Sequence, residues 1–174
     1  MSERGVTLVE LVVVISIIGI LAIALGFSYV GWHGKYKIEK VTRDLYSDLM
    51  SARAMAMTRN RFYFVDFPTT TSYRIIEDTN DNSAPNPGAG DTVLGGFPKT
   101  IDYEMTSGTS GISGRFTFDK RGLVSPQRTI CIDKANDRDP DYDCIVVSET
   151  RIISGKIINR SAAAACESAN CRRN

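Results

Sequence analysis

Charged residues almost vanish between Val6 and Phe27; over these 22 positions Glu10 is the only one. At helical rise the segment is about 33 Å long, enough to cross a hydrocarbon core of about 30 Å. From about Lys35 to Asn60 the pattern changes. Ile38, Val41, Leu45, Leu49, Ala52 and Ala56 recur at steps of three and four, while Lys37, Lys40, Arg43, Asp44, Asp48 and Arg53 fill the other faces. This predicts an amphipathic helix that continues the apolar one. Tyr29 and Trp32, followed by Lys35, Lys37 and Lys40, are placed like interfacial residues at the edge of a span. A stripe of this kind suits packing against a sheet better than lying on a membrane surface, the alternative for a basic amphipathic helix.

Beyond Asn60 the period shortens to two. Residues 61–67, 72–78, 100–105, 114–122, 128–133, 144–149 and 151–158 read as short strands, with Pro68 and Gly122 as punctuation. One long helix followed by many short strands is an α+β plan in which an antiparallel sheet lies on the helix.

Composition refines this picture in three places. The chain has 174 residues, 43% hydrophobic and 24% charged, sufficient for one compact domain with an appendage. A net charge of +1 supplies no global attraction to polyanions, so any electrostatic function must be local. Such asymmetry exists: Arg151, Lys156, Arg160, Arg172 and Arg173 face only Glu167 in the last stretch, whereas Glu77, Asp78, Asp81 and Asp91 share theirs with no base. The four cysteines, Cys131, Cys144, Cys166 and Cys171, lack C-x-x-C spacing and lie beyond a membrane-targeting segment, which favours disulfides in an oxidising compartment. Three pairings are open; short loops favour Cys131 with Cys144 and Cys166 with Cys171.

A carboxylate inside an apolar span is costly and needs a partner unless it snorkels to the headgroups, which apolar neighbours on both sides discourage. A cleaved secretory signal, with Ala22-Ile23-Ala24 as its small-x-small site, competes with the membrane helix. It predicts a chain beginning at Leu25, but the positive n-region is missing, because Glu3 and Glu10 offset Arg4 and the chain amine.

The order Gly5-Val6-Thr7-Leu8-Val9-Glu10, followed by an unbroken apolar run, resembles the class III signal of type IV pilins and pseudopilins. The blocks "LYSDLMSARAMAMTRN", "RFYFVDF", "FTFDKRGL" and "SETRIISGKIINR" resemble, in order and spacing, the GspH/FimT-type minor pseudopilins and minor pilins. The resemblance implies the type IV pilin fold. Its divisions are a leader at 1–5, a transmembrane and filament-core helix at 6–27, an amphipathic continuation at 28–60, a β-rich domain at 61–160 and a basic tail at 161–174. It also implies that prepilin peptidase cuts between Gly5 and Val6 on the cytoplasmic side, and that the new Val6 amine is N-methylated. The chain would wait in the bacterial inner membrane with its β-rich domain in the periplasm. From there an assembly platform would move it into a helical filament of pseudopilins or pilins, in secretion or pilus biogenesis, where the loops of its sheet would face neighbouring pseudopilins or secreted cargo. Cleavage places an ammonium four residues before Glu10, so the amine of one subunit can meet the carboxylate of its neighbour.

The alternative function is a filament-borne receptor for DNA uptake. FimT-type members contact DNA through a basic Gly-Arg-x-Arg element, and the matching place here reads Gly155-Lys156-Ile157-Ile158. Lys156, with Arg160, Arg172 and Arg173, is the candidate phosphate-binding set, against the bland role of a solubilising tail.

Asp78, Asn80 and Asn82 open like a calcium loop, but Ser83 and Ala89 stand where Gly and Glu are needed, which favours a solvated turn. A second acidic loop, with Asp137, Asp139, Asp141 and Asp143, reads the same way. No cofactor is expected. The chain has one histidine, His33, and no P-loop, H-E-x-x-H or nucleophile elbow, so catalysis is not expected.

Overall fold

The computed structural model describes residues 5–133, 138–161 and 166–173, with the backbone alone for 24–32. One helix, α1, runs from Leu8 to Arg59. No proline occurs before Pro68, so nothing interrupts its hydrogen-bond ladder. Thr7, in an extended conformation, caps its start by accepting the Glu10 N–H at 3.2 Å. Asn60 ends it in the left-handed region (φ 54°), a conformation that asparagine tolerates better than most residues, and its N–H returns to the Ala56 carbonyl.

The distal half of α1 buries Ile38, Thr42, Leu45, Leu49, Ala52 and Ala56, at steps of four and three. Val41 is half-buried beside this stripe. Thr42 is tolerated in the core because its hydroxyl donates to the Ile38 carbonyl at 2.9 Å.

Among the described residues twelve strands follow: β1 (Tyr63–Thr69), β2 (Ser72–Glu77), β3 (Thr92–Val93), β4 (Lys99–Thr100), β5 (Met105–Ser107), β6 (Ser110–Gly111), β7 (Gly114–Phe118), β8 (Val124–Ser125), β9 (Arg128–Ile132), β10 (Cys144–Val147), β11 (Ile152–Ile157) and β12 (Cys171–Arg172). They form two antiparallel sheets. The first has the order β3-β2-β1-β7-β8, with β4 also on β2; the second has the order β12-β11-β10-β9-β5-β6. The helix stripe, Tyr63, Val65 and Phe67 of β1, Tyr73 and Ile75 of β2, Phe116 and Phe118 of β7, and Ile130, Ile132, Ile145 and Val147 of the second sheet make one core. Asp48 on α1 accepts from the Tyr73 hydroxyl at 2.6 Å and pairs with Lys99 at 2.7 Å, which ties β2 and β4 to the helix. Burial is the first cause that pushes the Tyr73 phenol well above its ordinary range, and the Asp48 carboxylate adds to it.

One expected strand is absent. Residues 101–104 bridge the two sheets, with the N–H groups of Ile101 and Met105 donating to Thr71 and Thr70 at the β1–β2 turn. Ile101 and Tyr103 still face the core while Asp102 and Glu104 are exposed, so the alternation reports burial without a ladder. The two-residue strands β3, β4, β6, β8 and β12 are too short to carry any period.

The cysteine pairing also differs from the short-loop expectation: the disulfides are Cys131–Cys166 and Cys144–Cys171. Cys131 and Cys144 sit directly opposite each other on β9 and β10, on the face of the second sheet turned away from the helix. Each reaches over to the tail instead of to the other. The entropy argument behind the short loops is weak, since lengthening a closed loop from about 13 to about 35 residues costs only about 0.9 kcal/mol. The tail has little apolar surface of its own, so the crosslinks fasten it across a sheet face that would otherwise be open. Together with Ile157 and Val146 the four sulfurs form a second, smaller apolar cluster.

Candidate functional site

Every residue from Gly5 to Ile23 is exposed, including Leu8 at 79% and Ile20 at 69%. The domain core begins only at Ile38. The proximal part of α1, from Leu8 to Ile23, is therefore an apolar rod that stands outside the core formed by the described residues. Gly5, Val6 and Thr7 precede the helix in non-helical backbone, and Val6 is 73% exposed. Glu10 lies in the first turn, with its carboxylate 3.5 Å from the Thr7 hydroxyl. Thr7 and Glu10 thus stand in the Thr-x-x-Glu relation of a capping box, and the positive end of the helix favours a carboxylate there. This is a local partner for Glu10 that the cost of a carboxylate in a span does not indicate, although the Thr-x-x-Glu spacing does. Among the described residues no helix is long and apolar enough to cross a membrane; the described side chains of the rod run from Leu8 to Ile23, and the sequence carries it on to Phe27.

At the other end of the chain the candidate cations gather at the β11–β12 edge. Lys156 stands directly opposite Arg172, and Arg172 and Arg173 are exposed. Gly155 is required beside them, because a Cβ there would overlap the Arg172 carbonyl as β12 closes over β11. Lys156 pairs with Asp139 at 2.9 Å, and Arg160 pairs with the fully buried Asp143. Burial is the first cause acting on the Asp143 carboxyl and raises it, opposed by the Ile157 N–H at 2.7 Å and by Arg160.

The acidic segment 138–143 is held on α1. Lys35 pairs with Asp141 at 3.2 Å, Glu39 accepts the Asp141 N–H at 2.9 Å, and Arg43 lies 5.1 Å above the Tyr142 ring. Asp139, Asp141 and Asp143 thus each have a cationic partner, whereas Asp137 lies outside the described residues. In the other acidic loop Asp78 accepts the N–H groups of Asn82 and Ser83, Asn80 accepts that of Asn82, and Asn82 accepts that of Ala84. These oxygens shape a run of turns. Among the described residues no group of three or more His, Cys, Asp or Glu side chains is arranged to hold a metal ion.

Residues 41–151 match the model of the type II transport protein GspH, nearly two thirds of the chain, and residues 1–26 match the prokaryotic N-terminal methylation motif. The chain belongs to the GspH family. No curated protein sequence matches it. Among solved structures, the type IV minor pilin FimU of Pseudomonas aeruginosa is similar at 13% identity, with 77% of this chain and 96% of that chain covered and a TM-score of 0.48.

Membership makes this GspH-family chain a pilin-like structural subunit of a pilus or pseudopilus, anchored by its N-terminal helix and processed by prepilin peptidase. Its α+β architecture, one long N-terminal helix on antiparallel sheets, is that of the type IV pilin fold. The family consists of structural subunits, which are not enzymes. The matched residues end before β11, so the basic edge belongs to a part of the chain that the GspH model does not reach.

Proposed function

We propose that this chain is a minor subunit of a type II secretion pseudopilus or a type IV pilus. It waits in the inner membrane with its β-rich domain on the periplasmic side, is cut after Gly5, is methylated on Val6, and enters the filament through its apolar rod. The observation that carries this reading is the exposure of every residue from Gly5 to Ile23, ahead of a domain whose core is complete without them. So much apolar surface needs lipid or neighbouring helices. Glu10, already favoured by the Thr7 cap and the helix end, is placed to receive the amine of a neighbouring subunit without distorting its own turn.

A photo-crosslinking residue at Val14 or Ile18 tests assembly. During secretion or piliation it is expected to trap this chain against other pilin-like subunits, while the same probe at exposed Arg115 gives far less product. Equal, monomer-only patterns from both positions would refute the filament role.

A second reading, contact with DNA, is favoured by one observation. The sequence lacks a second base after Lys156, yet Arg172 supplies one in space, directly across the β11–β12 pair and fixed by the Cys144–Cys171 bridge. Two adjacent cations with Arg173 beside them form a short basic edge suited to phosphodiesters.

A further inference from the structure

Lys156 and Arg172 form an unfavourable pair, since like charges directly opposite on antiparallel strands repel. The carboxylate that relieves this repulsion is Asp139, 2.9 Å from the Lys156 ammonium. Its neighbours in the acidic segment are firmly held. Asp143 is buried on Arg160 and the Ile157 N–H, and Asp141 is fixed by Lys35 and by Glu39 through its own N–H. Asp139 is different. Its side chain is 72% exposed, its backbone is left-handed at φ 48°, and its one ion pair among the described residues is with Lys156 at the surface. The hydrogen bond from Lys156 is the first cause that holds the Asp139 carboxyl below its ordinary range, with further help from Arg160 and Lys35.

We propose that Asp139 is a built-in competitor at this basic edge: a carboxylate on an anchored segment that occupies Lys156 until a nucleic-acid phosphate displaces it. The proposal rests on the DNA-contact reading and adds regulation to the same site. An anchored segment returns its carboxylate to Lys156 whenever the phosphate leaves, so the edge is open to a polyanion and closed to isolated anions. Weak surface pairing makes the displacement easy. Arg172 and Arg173, which make no ion pair among the described residues, give the incoming strand its first contacts.

The test uses the full chain in a non-ionic detergent and a short fluorescein-labelled DNA duplex, with anisotropy followed over increasing salt. Asp139→Asn is expected to bind about threefold more tightly near physiological salt with the log–log salt slope unchanged, because the wild type makes the same Lys156–phosphate contact once Asp139 is displaced. The same substitution in a Lys156→Ala background should change nothing. Glu149→Gln, which removes an exposed carboxylate at the far end of β11, controls for net charge and should have a smaller effect. If Asp139→Asn leaves a measurable wild-type affinity unchanged, if its gain survives in Lys156→Ala, or if Glu149→Gln matches it, the competitor role is overturned while DNA contact stands. If no variant binds the duplex even at low salt, DNA contact itself fails and the competitor role goes with it.

Discussion

Glu10→Ala is expected to leave the chain inserted in the membrane and to remove it almost entirely from filaments. The carboxylate sits in the first turn of α1, beside the Thr7 hydroxyl and at the positive end of the helix. Alanine is a good helix former, and Thr7 retains its bond to the residue 10 N–H, so the helix start survives the change. On the proposed assembly, what is lost is the partner for the amine of a neighbouring subunit. Stripping one partner from an ion pair held in an apolar setting costs about 3–5 kcal/mol, enough to lower incorporation by more than a hundredfold. Glu10→Gln should fail similarly, because it keeps the shape and loses the charge. Immunodetection of the chain in sheared filament and membrane fractions checks both variants; wild-type amounts of either in filaments would remove the charge pair from the account.

The second large effect concerns the tail. Exchanging Cys144 and Cys171 together for serine removes a crosslink between residues 27 apart, worth about 3.5 kcal/mol by loop-closure entropy. Beyond residue 166, where the Cys131–Cys166 bridge remains, the tail has little else to hold it among the described residues. Its backbone bonds to the sheet are few, among them Ile158 N–H to the Asn170 carbonyl and the reciprocal pair between Gly108 and Cys166. Denaturant unfolding of the full chain in detergent should register a loss of about 3–4 kcal/mol, and limited proteolysis should cut near residue 171 before it cuts the sheets. A loss below about 0.5 kcal/mol, the scale of an ordinary surface substitution, would mean that the tail is held by other means. The same variant should also weaken any contact with DNA, since Arg172 reaches the Lys156 edge through this bridge.

Local patterns in the sequence anticipate local structure well. The stripe from Ile38 to Ala56 is periodic because one helix face meets a core, and that requirement is met within a few residues along the chain. The six strand signals other than 100–105 succeed for the same reason, each being a single run with its own alternation. At 101–104 the alternation is equally clear, but the ladder depends on which neighbour lies alongside, and here the neighbour is the tip of a hairpin. The disulfides were hidden on similar grounds. Cys131 and Cys144 face each other in register, yet their partners come from a tail that crosses both strands. Arg172 opposite Lys156 follows from that crossing, and no periodicity joins residues so far apart in sequence. The Thr7 cap stands apart, because Thr-x-x-Glu at a helix start is a local signal, legible without any knowledge of the fold.

The central claim is that the exposed rod belongs to a subunit cut after Gly5 and stored in the membrane for assembly. Mass spectrometry of the N-terminal peptide from the membrane-bound or filament-bound protein tests it most directly. A chain beginning at N-methylated Val6, with the rod from Leu8 onward intact, is the predicted result. A chain that begins at Leu25, with the rod removed, or one that keeps residues 1–5 in assembled material, would contradict it.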